Sequence, residues 1–182
     1  MKPALVIVGL GNPGDQYKRT RHNVGFMAID RLSDEFGEGE WEDKQKFQSY
    51  IQEARVGVVP VLLVKPKTYM NLSGDAVRKI VDFYKLDPAN QILICVDDID
   101  LPLAELRMRK SGGPGTHNGM KSLVDTFGES FPRLRIGLGQ PPAGGDLSGW
   151  VLSAMKGEEE KAIQESFDAL SGLVSDFVLG SS

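Results

Sequence analysis

Two histidines are the first candidates for chemistry because they occupy the same kind of position. His22 and His117 are each followed by asparagine, and each stands between a polar or glycine-rich loop and a segment with helical periodicity. Residues at such junctions face the cleft of an α/β sheet more often than its core. A lone histidine is usually structural, but two at equivalent junctions favour a shared site.

A cluster of carboxylates follows a short apolar run at residues 92–96. Asp97, Asp98 and Asp100 could bind a metal, or one of them could orient a histidine by accepting its ring N–H. The chain has one cysteine, Cys95, and only two histidines, which does not suit a structural zinc site. We therefore favour the second interpretation and expect no metal and no cofactor. Cys95 itself reads as a buried core thiol.

A basic and aromatic loop follows the predicted strand at residues 57–65. Lys65 and Lys67 could meet phosphates, and Tyr69 could stack on a base or ribose. Asn71 offers both a hydrogen-bond donor and an acceptor. It could bind substrate or simply cap the helix that follows, and the sequence leaves both open.

A second basic segment leads into a glycine-rich loop. Arg107, Arg109 and Lys110 alternate along a predicted exposed strand, and the loop at 111–116 then ends at a helix start, a geometry that suits a phosphate. The alternative is a flexible loop beside a solvated strand. The formal net charge is −4, but residues 141–182 hold seven acidic and two basic residues, so the rest of the chain carries +1. A local basic face is compatible with RNA.

The glycines at 9, 11 and 14 match the dinucleotide-binding pattern G-x-G-x-x-G. That site needs a helix to begin at the glycines, so that its N-terminus faces the pyrophosphate. Here Pro13 and a polar connection separate them from the predicted helix. We therefore predict a tight turn that allows another group to approach the backbone.

Alternating strands and helices must position these groups. We predict strands at residues 5–8, 47–55, 57–65, 92–96, 106–110 and 133–139, and helices at 24–36, 72–84, 118–127 and 157–179. The fold class is α/β: one domain over 1–182, a sandwich with a mixed, largely parallel twisted sheet and helices on both faces. Residues 140–155 are predicted to be a mobile lid loop with a short helix, because they begin rich in proline and glycine. Neither a membrane span nor a typical secretory signal is evident, so we expect a cytoplasmic location. No exposed apolar stripe is obvious, so we expect a monomer.

Six stretches, in order, resemble the motifs of bacterial-type peptidyl-tRNA hydrolases. They are VGLGNPG (8–14), TRHNVG (20–25), YMNLSG (69–74), DDIDLP (97–102), GTHNG (115–119) and RLRIGLG (133–139). They run through about three quarters of the chain, and six in order are specific where any one would not be. The resemblance implies hydrolysis of the ester between a peptide, or an N-blocked amino acid, and the ribose of tRNA. Such an enzyme recycles peptidyl-tRNA released prematurely from ribosomes.

The resemblance also implies roles for individual residues. His22 would be the general base that activates water, Asp97 would hold its imidazole, and Asn12 would contact the ester or peptide near the scissile bond. The substrate would be bound at the 3′-terminal CCA and at the acceptor-stem phosphates of tRNA. The residues implied in that binding are Tyr17 and Tyr69 for the terminal adenosine, Asn71 and Asn118 for the peptide backbone and the water, His117 at the substrate site, and Arg107, Arg109 and Arg135 for phosphates.

The sequence departs from the commonest family pattern at the glycine-rich loop and at the C-terminus. Pro114 and Thr116 make the loop stiffer, arginines stand at 107 and 109 where many relatives carry lysine, and the tail is short and acidic. Two other readings remain: a non-catalytic RNA-binding relative, as in plant organelle splicing factors, and a nucleotide-dependent oxidoreductase. The presence of the catalytic set, namely His22, Asn12, Asn71 and Asp97, favours the enzyme.

Overall fold

A seven-stranded mixed sheet forms the centre of the computed structural model, which describes residues 2–180. Its strands are β1 (Leu5–Gly9), β2 (Glu42–Lys44), β3 (Ser49–Val56), β4 (Val59–Pro66), β5 (Ile92–Asp98), β6 (Leu106–Arg109) and β7 (Arg133–Gly137). They lie in the order β2-β3-β4-β1-β5-β7-β6. The four strands from β4 to β7 in that order are parallel, and antiparallel strands flank them on both sides. The predicted mixed, largely parallel sheet is confirmed.

Helices cover both faces of this sheet, as predicted. They are α1 (Val24–Phe36), α2 (Ser73–Tyr84), α3 (Pro88–Gln91), α4 (Asn118–Phe127), α5 (Leu147–Val151), α6 (Gly157–Ser166) and α7 (Leu170–Val178). Successive residues of β1 point to opposite faces, so Val6 and Val8 pack with α2 and α4, while Leu5 and Ile7 pack with α1, α6 and α7. Within residues 2–180, no helix is long and apolar enough to cross a membrane.

Close backbone contact between α1 and the sheet explains the glycines at the start of the chain. A Cβ atom at Gly9 would lie 2.3 Å from the carbonyl oxygen of Gly25, and one at Gly25 would lie 2.5 Å from that of Leu10. The helix begins at Val24 rather than at the glycine turn, so its N-terminus does not face that turn as a dinucleotide site requires. The predicted close approach is therefore confirmed, and it seats the segment before α1 over the ends of β1 and β5.

The C-terminal helix predicted over 157–179 is wrong as a single helix. A 3₁₀ turn at Phe167–Ala169 separates α6 from α7. Just before it, the hydroxyl of Ser166 donates to the carbonyl oxygen of Ile163 at 2.6 Å, a local bond that competes with regular helix geometry. Sequence reasoning also missed β2 and α3, which are short and carry no apolar periodicity.

Cys95 lies in β5 and is completely buried, as predicted. Burial raises the pKa of its thiol to about 12. The thiol is therefore neutral at physiological pH and fills space in the core.

Candidate active site

A cleft of about 550 Å³ lies beyond the carboxyl end of β5, where side chains from distant parts of the sequence meet. Its lining includes most of the predicted site residues: Asn12, His22, Tyr69, Asn71, Asp97, Arg109, His117, Asn118 and Arg135. Tyr17 and Arg107 are not among the lining residues. The carboxyl edge of an open α/β sheet is where such clefts are expected, because the loops after parallel strands gather there.

His22 and Asp97 form the hydrogen bond that the sequence suggested. Nδ1 of His22 lies 2.8 Å from Oδ2 of Asp97, and His22, only 8 % exposed, borders the cleft. The carboxylate fixes the tautomer in which Nδ1 carries the proton, so Nε2 keeps its lone pair. Burial lowers the pKa of His22, but the charge of Asp97 and the bond to it raise this pKa, and the outcome lies above 6.5.

Asp97 also accepts a hydrogen bond from the second histidine, which sequence reasoning did not foresee. Nε2 of His117 lies 2.7 Å from Oδ1 of Asp97, and Nδ1 of His117 accepts the backbone N–H of Met120 at 3.2 Å. Since Nδ1 accepts, Nε2 is the ring nitrogen that donates to Asp97. Burial raises the pKa of Asp97, but the charges of His117 and His22 and their two hydrogen bonds hold it well below its usual range.

The two histidines and Asp97 are also residue types that bind metals, and their ligating atoms lie within 4.8 Å of one another. Both carboxylate oxygens, however, already face a ring nitrogen at hydrogen-bond distance. Nδ1 of His117 is occupied by a backbone N–H. A hydrogen-bonded triad therefore accounts for each of these atoms without a metal.

Asn12 is held in place by a pair of hydrogen bonds with Asn23. The backbone N–H of Asn12 donates to Oδ1 of Asn23 at 2.8 Å, and Nδ2 of Asn23 donates to the carbonyl oxygen of Asn12 at 2.9 Å. Oδ1 of Asn12 accepts the backbone N–H of Met70 at 2.9 Å. The amide nitrogen of Asn12 is thus the group left for the cleft. Asn23 was not chosen from the sequence, although it directly follows His22.

Tyr69 precedes, and Asn71 lies within, a 3₁₀ turn at Met70–Leu72 that leads into α2. Tyr69 has φ 60° and ψ 162°, an unusual backbone conformation for a residue with a side chain, and it is 52 % exposed. Asn71 is exposed to the cleft and does not cap α2, whose N-cap position is held by Leu72 without a side-chain bond. The capping alternative for Asn71 is therefore wrong.

Two further predicted binding residues, Asn118 and Tyr17, lie at or next to the cleft. Asn118 is the first residue of α4 and is exposed to the cleft, while His117 caps that helix. The ring of Tyr17 meets that of Tyr69 edge-on, with 6.4 Å between centroids. Tyr17 thus supports the aromatic rim from behind.

Arginines form a two-by-two array on the β6–β7 ladder. Arg107 stands opposite Arg135, and Arg109 stands opposite Arg133. Like charges directly opposite each other repel, and two of the four arginines are paired with carboxylates. Arg107 pairs with Glu105 at 2.7 Å and Arg135 with Asp98 at 2.6 Å.

Arg133 differs from the others because it is buried and structural. It is 2 % exposed and donates to the carbonyl oxygens of Gly112 and Glu129 at 2.8 and 2.9 Å, so it holds the base of the glycine-rich loop. Its alternation with Leu134 and Ile136 would by itself place it on the solvent side of β7. Arg109 has no acidic partner among residues 2–180, and it lines the cleft.

Lys65 and Lys67, which the sequence suggested for phosphates, do not line the cleft. Lys65 pairs with Asp30 and its ammonium group lies 5.1 Å from the centre of the Trp41 ring, and Lys67 pairs with Asp43. Both lysines therefore form ion pairs with aspartates outside the cleft.

The sequence of this chain matches a known protein family. The peptidyl-tRNA hydrolase family model matches residues 6–181. A peptidyl-tRNA hydrolase of Chloroflexus aggregans is 48 % identical over 176 residues, which is 94 % of this chain and 93 % of that protein. One of Alkaliphilus metalliredigens is 46 % identical over 175 residues, 96 % of this chain and 92 % of that protein.

Structural comparison agrees with the sequence matches. The crystal structure of peptidyl-tRNA hydrolase from Acinetobacter baumannii superposes with a TM-score of 0.92 at 36 % identity and covers 100 % of this chain and 91 % of that one. A likeness to a uridine phosphorylase of Vibrio fischeri, with a TM-score of 0.51 at 9 % identity, concerns the fold alone. On these matches in sequence and structure, the chain belongs to the peptidyl-tRNA hydrolase family.

Proposed function

We propose that this chain hydrolyses the ester between a peptide, or an N-blocked amino acid, and the ribose of tRNA, with His22 as the general base. Its family and its structural neighbours support the hydrolysis of peptidyl-tRNA. One observation carries the role of His22. The 2.8 Å contact between its Nδ1 and Oδ2 of Asp97 leaves Nε2 as the basic atom at the cleft.

The proposed reaction needs one base and no covalent intermediate. Nε2 of His22 takes a proton from water as the water oxygen attacks the ester carbonyl. The tetrahedral intermediate then expels the ribose oxygen, which takes the proton back from the imidazolium. The charge of Asp97 stabilises that imidazolium, and an ester is reactive enough for a single positioned base to suffice.

Neutral amides would position the substrate around this base. The free amide nitrogen of Asn12 can donate to the carbonyl oxygen as negative charge develops there. Asn71 and Asn118 reach the cleft from two different helix starts and can bind the peptide backbone and the water. His117 would act mainly through Asp97, because its two ring nitrogens already have protein partners.

The tRNA end of the substrate would lie along the aromatic rim and the arginine array. Tyr69, backed by Tyr17, offers an exposed ring on which the terminal adenosine of CCA can stack. Arg109, which has no acidic partner among the described residues, is the foremost group for an acceptor-stem phosphate. Arg107 and Arg135 would have to share their charge with Glu105 and Asp98.

Three further expectations remain proposals. Residues 140–149 would be the moving part of the lid at 140–155, since Trp150 and Ser153 are bonded to Arg21. Faster hydrogen exchange at 140–149 than in β5 would support this, and equal protection would contradict it.

We also expect a monomer, to be checked by light scattering. A cytoplasmic location is expected because peptidyl-tRNA arises during translation.

The test is the release of free tRNA from a purified N-acetylated aminoacyl-tRNA in the presence of EDTA, comparing wild type with His22→Ala. Turnover that survives the chelator and disappears in the variant would support a histidine-dependent, metal-free esterase. Loss of wild-type turnover with EDTA would instead make the two histidines and Asp97 metal ligands. An inactive wild type that still binds tRNA would favour the non-catalytic RNA-binding alternative.

A further inference from the structure

The guanidinium of Arg21, the residue before His22, is buried and donates four hydrogen bonds. Nε and Nη2 donate to the two carboxylate oxygens of Glu159 at 3.0 and 2.7 Å, which makes a bidentate ion pair. Nη1 donates to the carbonyl oxygen of Trp150 at 3.1 Å and to the hydroxyl of Ser153. The guanidinium carbon also lies 4.5 Å from the centre of the Trp150 ring. Neither Arg21 nor Glu159 lines the cleft.

Backbone hydrogen bonds join the same two segments. The N–H of Arg21 donates to the carbonyl oxygen of Ser153 at 3.2 Å, and the N–H of Met155 donates to that of Arg19 at 3.0 Å. Thr20 and Ala154 form an antiparallel bridge between these bonds. The stretch that leads into His22 is therefore paired, like a short strand, with the stretch that links α5 to α6.

Glu159 belongs to the first turn of α6 and is fixed there independently of Arg21. Its carboxylate accepts the backbone N–H of Lys156 at 3.1 Å, in a capping arrangement that closes the start of the helix. The hydrogen bond from Arg21, helped by Lys156, outweighs the opposing effect of burial and holds the pKa of Glu159 below its usual value. A planar guanidinium held by a fixed carboxylate has one orientation, so the pair transmits position rather than only charge.

We propose that Arg21 is a positioning residue for the reaction, joining the turn that carries His22 to α5 and to the first turn of α6. Residues of the C-terminal segment, remote from the reacting atoms, would thereby set where the imidazole stands relative to Asp97. The same guanidinium contacts Trp150 of α5, and two other residues of that helix, Leu147 and Val151, line the cleft. The inference rests on the proposed role of His22 as the base.

The test compares Glu159→Gln with the neighbouring variant Glu160→Gln. Glutamine at 159 keeps the shape and can still accept the N–H of Lys156, but it loses the charge and the two-oxygen fork. Glu160 also pairs with an arginine of the same stretch, Arg19, but in an exposed ion pair. For each variant, kcat and KM for an N-acetylated aminoacyl-tRNA are measured with the melting temperature. The chain's two histidines also make imidazole titration by NMR simple to follow.

We expect Glu159→Gln to lower kcat about tenfold with little change in KM, because a small misplacement of a catalytic group is costly. Two titratable side chains lie next to the imidazole of His22. Asp97 is hydrogen-bonded to it at 2.8 Å, and the ring centroid of His117 lies 4.7 Å from its own. If the imidazole moves away from Asp97, its NMR pKa should fall towards 6.5. Glu160→Gln should match wild type in both measurements. Arg21→Lys keeps the charge without the fork and should resemble Glu159→Gln, and it replaces that variant if the latter does not fold.

Equal kcat and equal histidine titration in the two glutamine variants would overturn the proposal, even if Glu159→Gln melts earlier, since a merely structural pair would change only stability. The titration needs no tRNA. An inactive wild type would therefore contradict the proposed function, while the NMR comparison would still decide whether Arg21 positions His22.

Discussion

The two ends of the cleft are built in opposite ways. At the histidine end, His22, Asp97 and Asn12 are buried, and each is fixed by at least one short hydrogen bond to another part of the protein. At the arginine end, Arg109 lines the cleft and Arg107 lies beside it on β6; both are exposed, and Arg109 has no acidic partner within residues 2–180. Bond cleavage requires groups that are already in place. Binding a polyanion requires cationic side chains that can exchange their contacts with water and counterions for contacts with phosphate.

Removing the proposed base is the strongest test of the histidine end of the cleft. We expect His22→Ala to lower kcat by about 10³- to 10⁴-fold, since general-base catalysis contributes effects of this order. Binding of uncharged tRNA should remain, because the arginine end is untouched. Single-turnover kinetics and a filter-binding assay measure the two effects separately. Activity near that of wild type would remove His22 from the mechanism.

Asp97→Asn should have the next largest effect and should also move the pH profile. The charge and hydrogen bond of Asp97 raise the pKa of His22 above 6.5, and burial alone lowers it. His22 must be neutral to act, so wild-type kcat/KM should rise with pH through that raised pKa.

In Asp97→Asn the raising influences are lost, and the rising limb should therefore shift to lower pH. We expect kcat at pH 8 to fall about 100-fold, because the imidazolium that forms loses its stabilising charge. A profile measured from pH 5 to 9 checks both effects. An unmoved limb would show that the limb belongs to another group.

At the arginine end, we expect Arg109→Ala to weaken tRNA binding about tenfold at low salt, the value of one charge-assisted hydrogen bond of about 1.5 kcal/mol. It should also reduce the slope of log Kd against log salt by about one unit, with kcat almost unchanged.

Arg107→Ala is the matched control for this variant. Arg107 lies on the same strand but is already paired with Glu105, so we expect no more than about a twofold effect on binding. Equal effects of the two substitutions would mean that the ion pair seen with Glu105 opens when tRNA binds.

The sequence predicted the histidine end better than the arginine end. Local signals indicated the two histidines at helix starts and the carboxylates after a predicted strand. The choice of His22 with Asp97 among them came from the family resemblance. The sharing of Asp97 by His117 depends on how the loop before α4 folds over β5. The burial of Arg133 depends on the register of β6 with β7, so neither could be deduced from spacing.

The same distinction between local and tertiary signals explains which elements of the fold could be predicted. Helices such as α1 and α4 were predicted to the residue, because apolar periodicity and a clear terminus mark them. The break between α6 and α7 depends on one serine hydroxyl bonding back to its own helix, which no periodicity reveals. The ion pair of Arg21 with Glu159 spans most of the chain and required the tertiary structure.

The backbone of Tyr69 has a consequence for anyone who would stabilise this protein. Its φ of 60° with ψ of 162° is a conformation that glycine adopts freely and that other residues adopt at a cost of about 1–3 kcal/mol. Tyr69→Gly should therefore raise the melting temperature while weakening the hold on the end of tRNA, as thermal unfolding and KM would show. If Tyr69 stacks on the terminal adenosine as proposed, its strained backbone is a loss of stability that accompanies substrate binding.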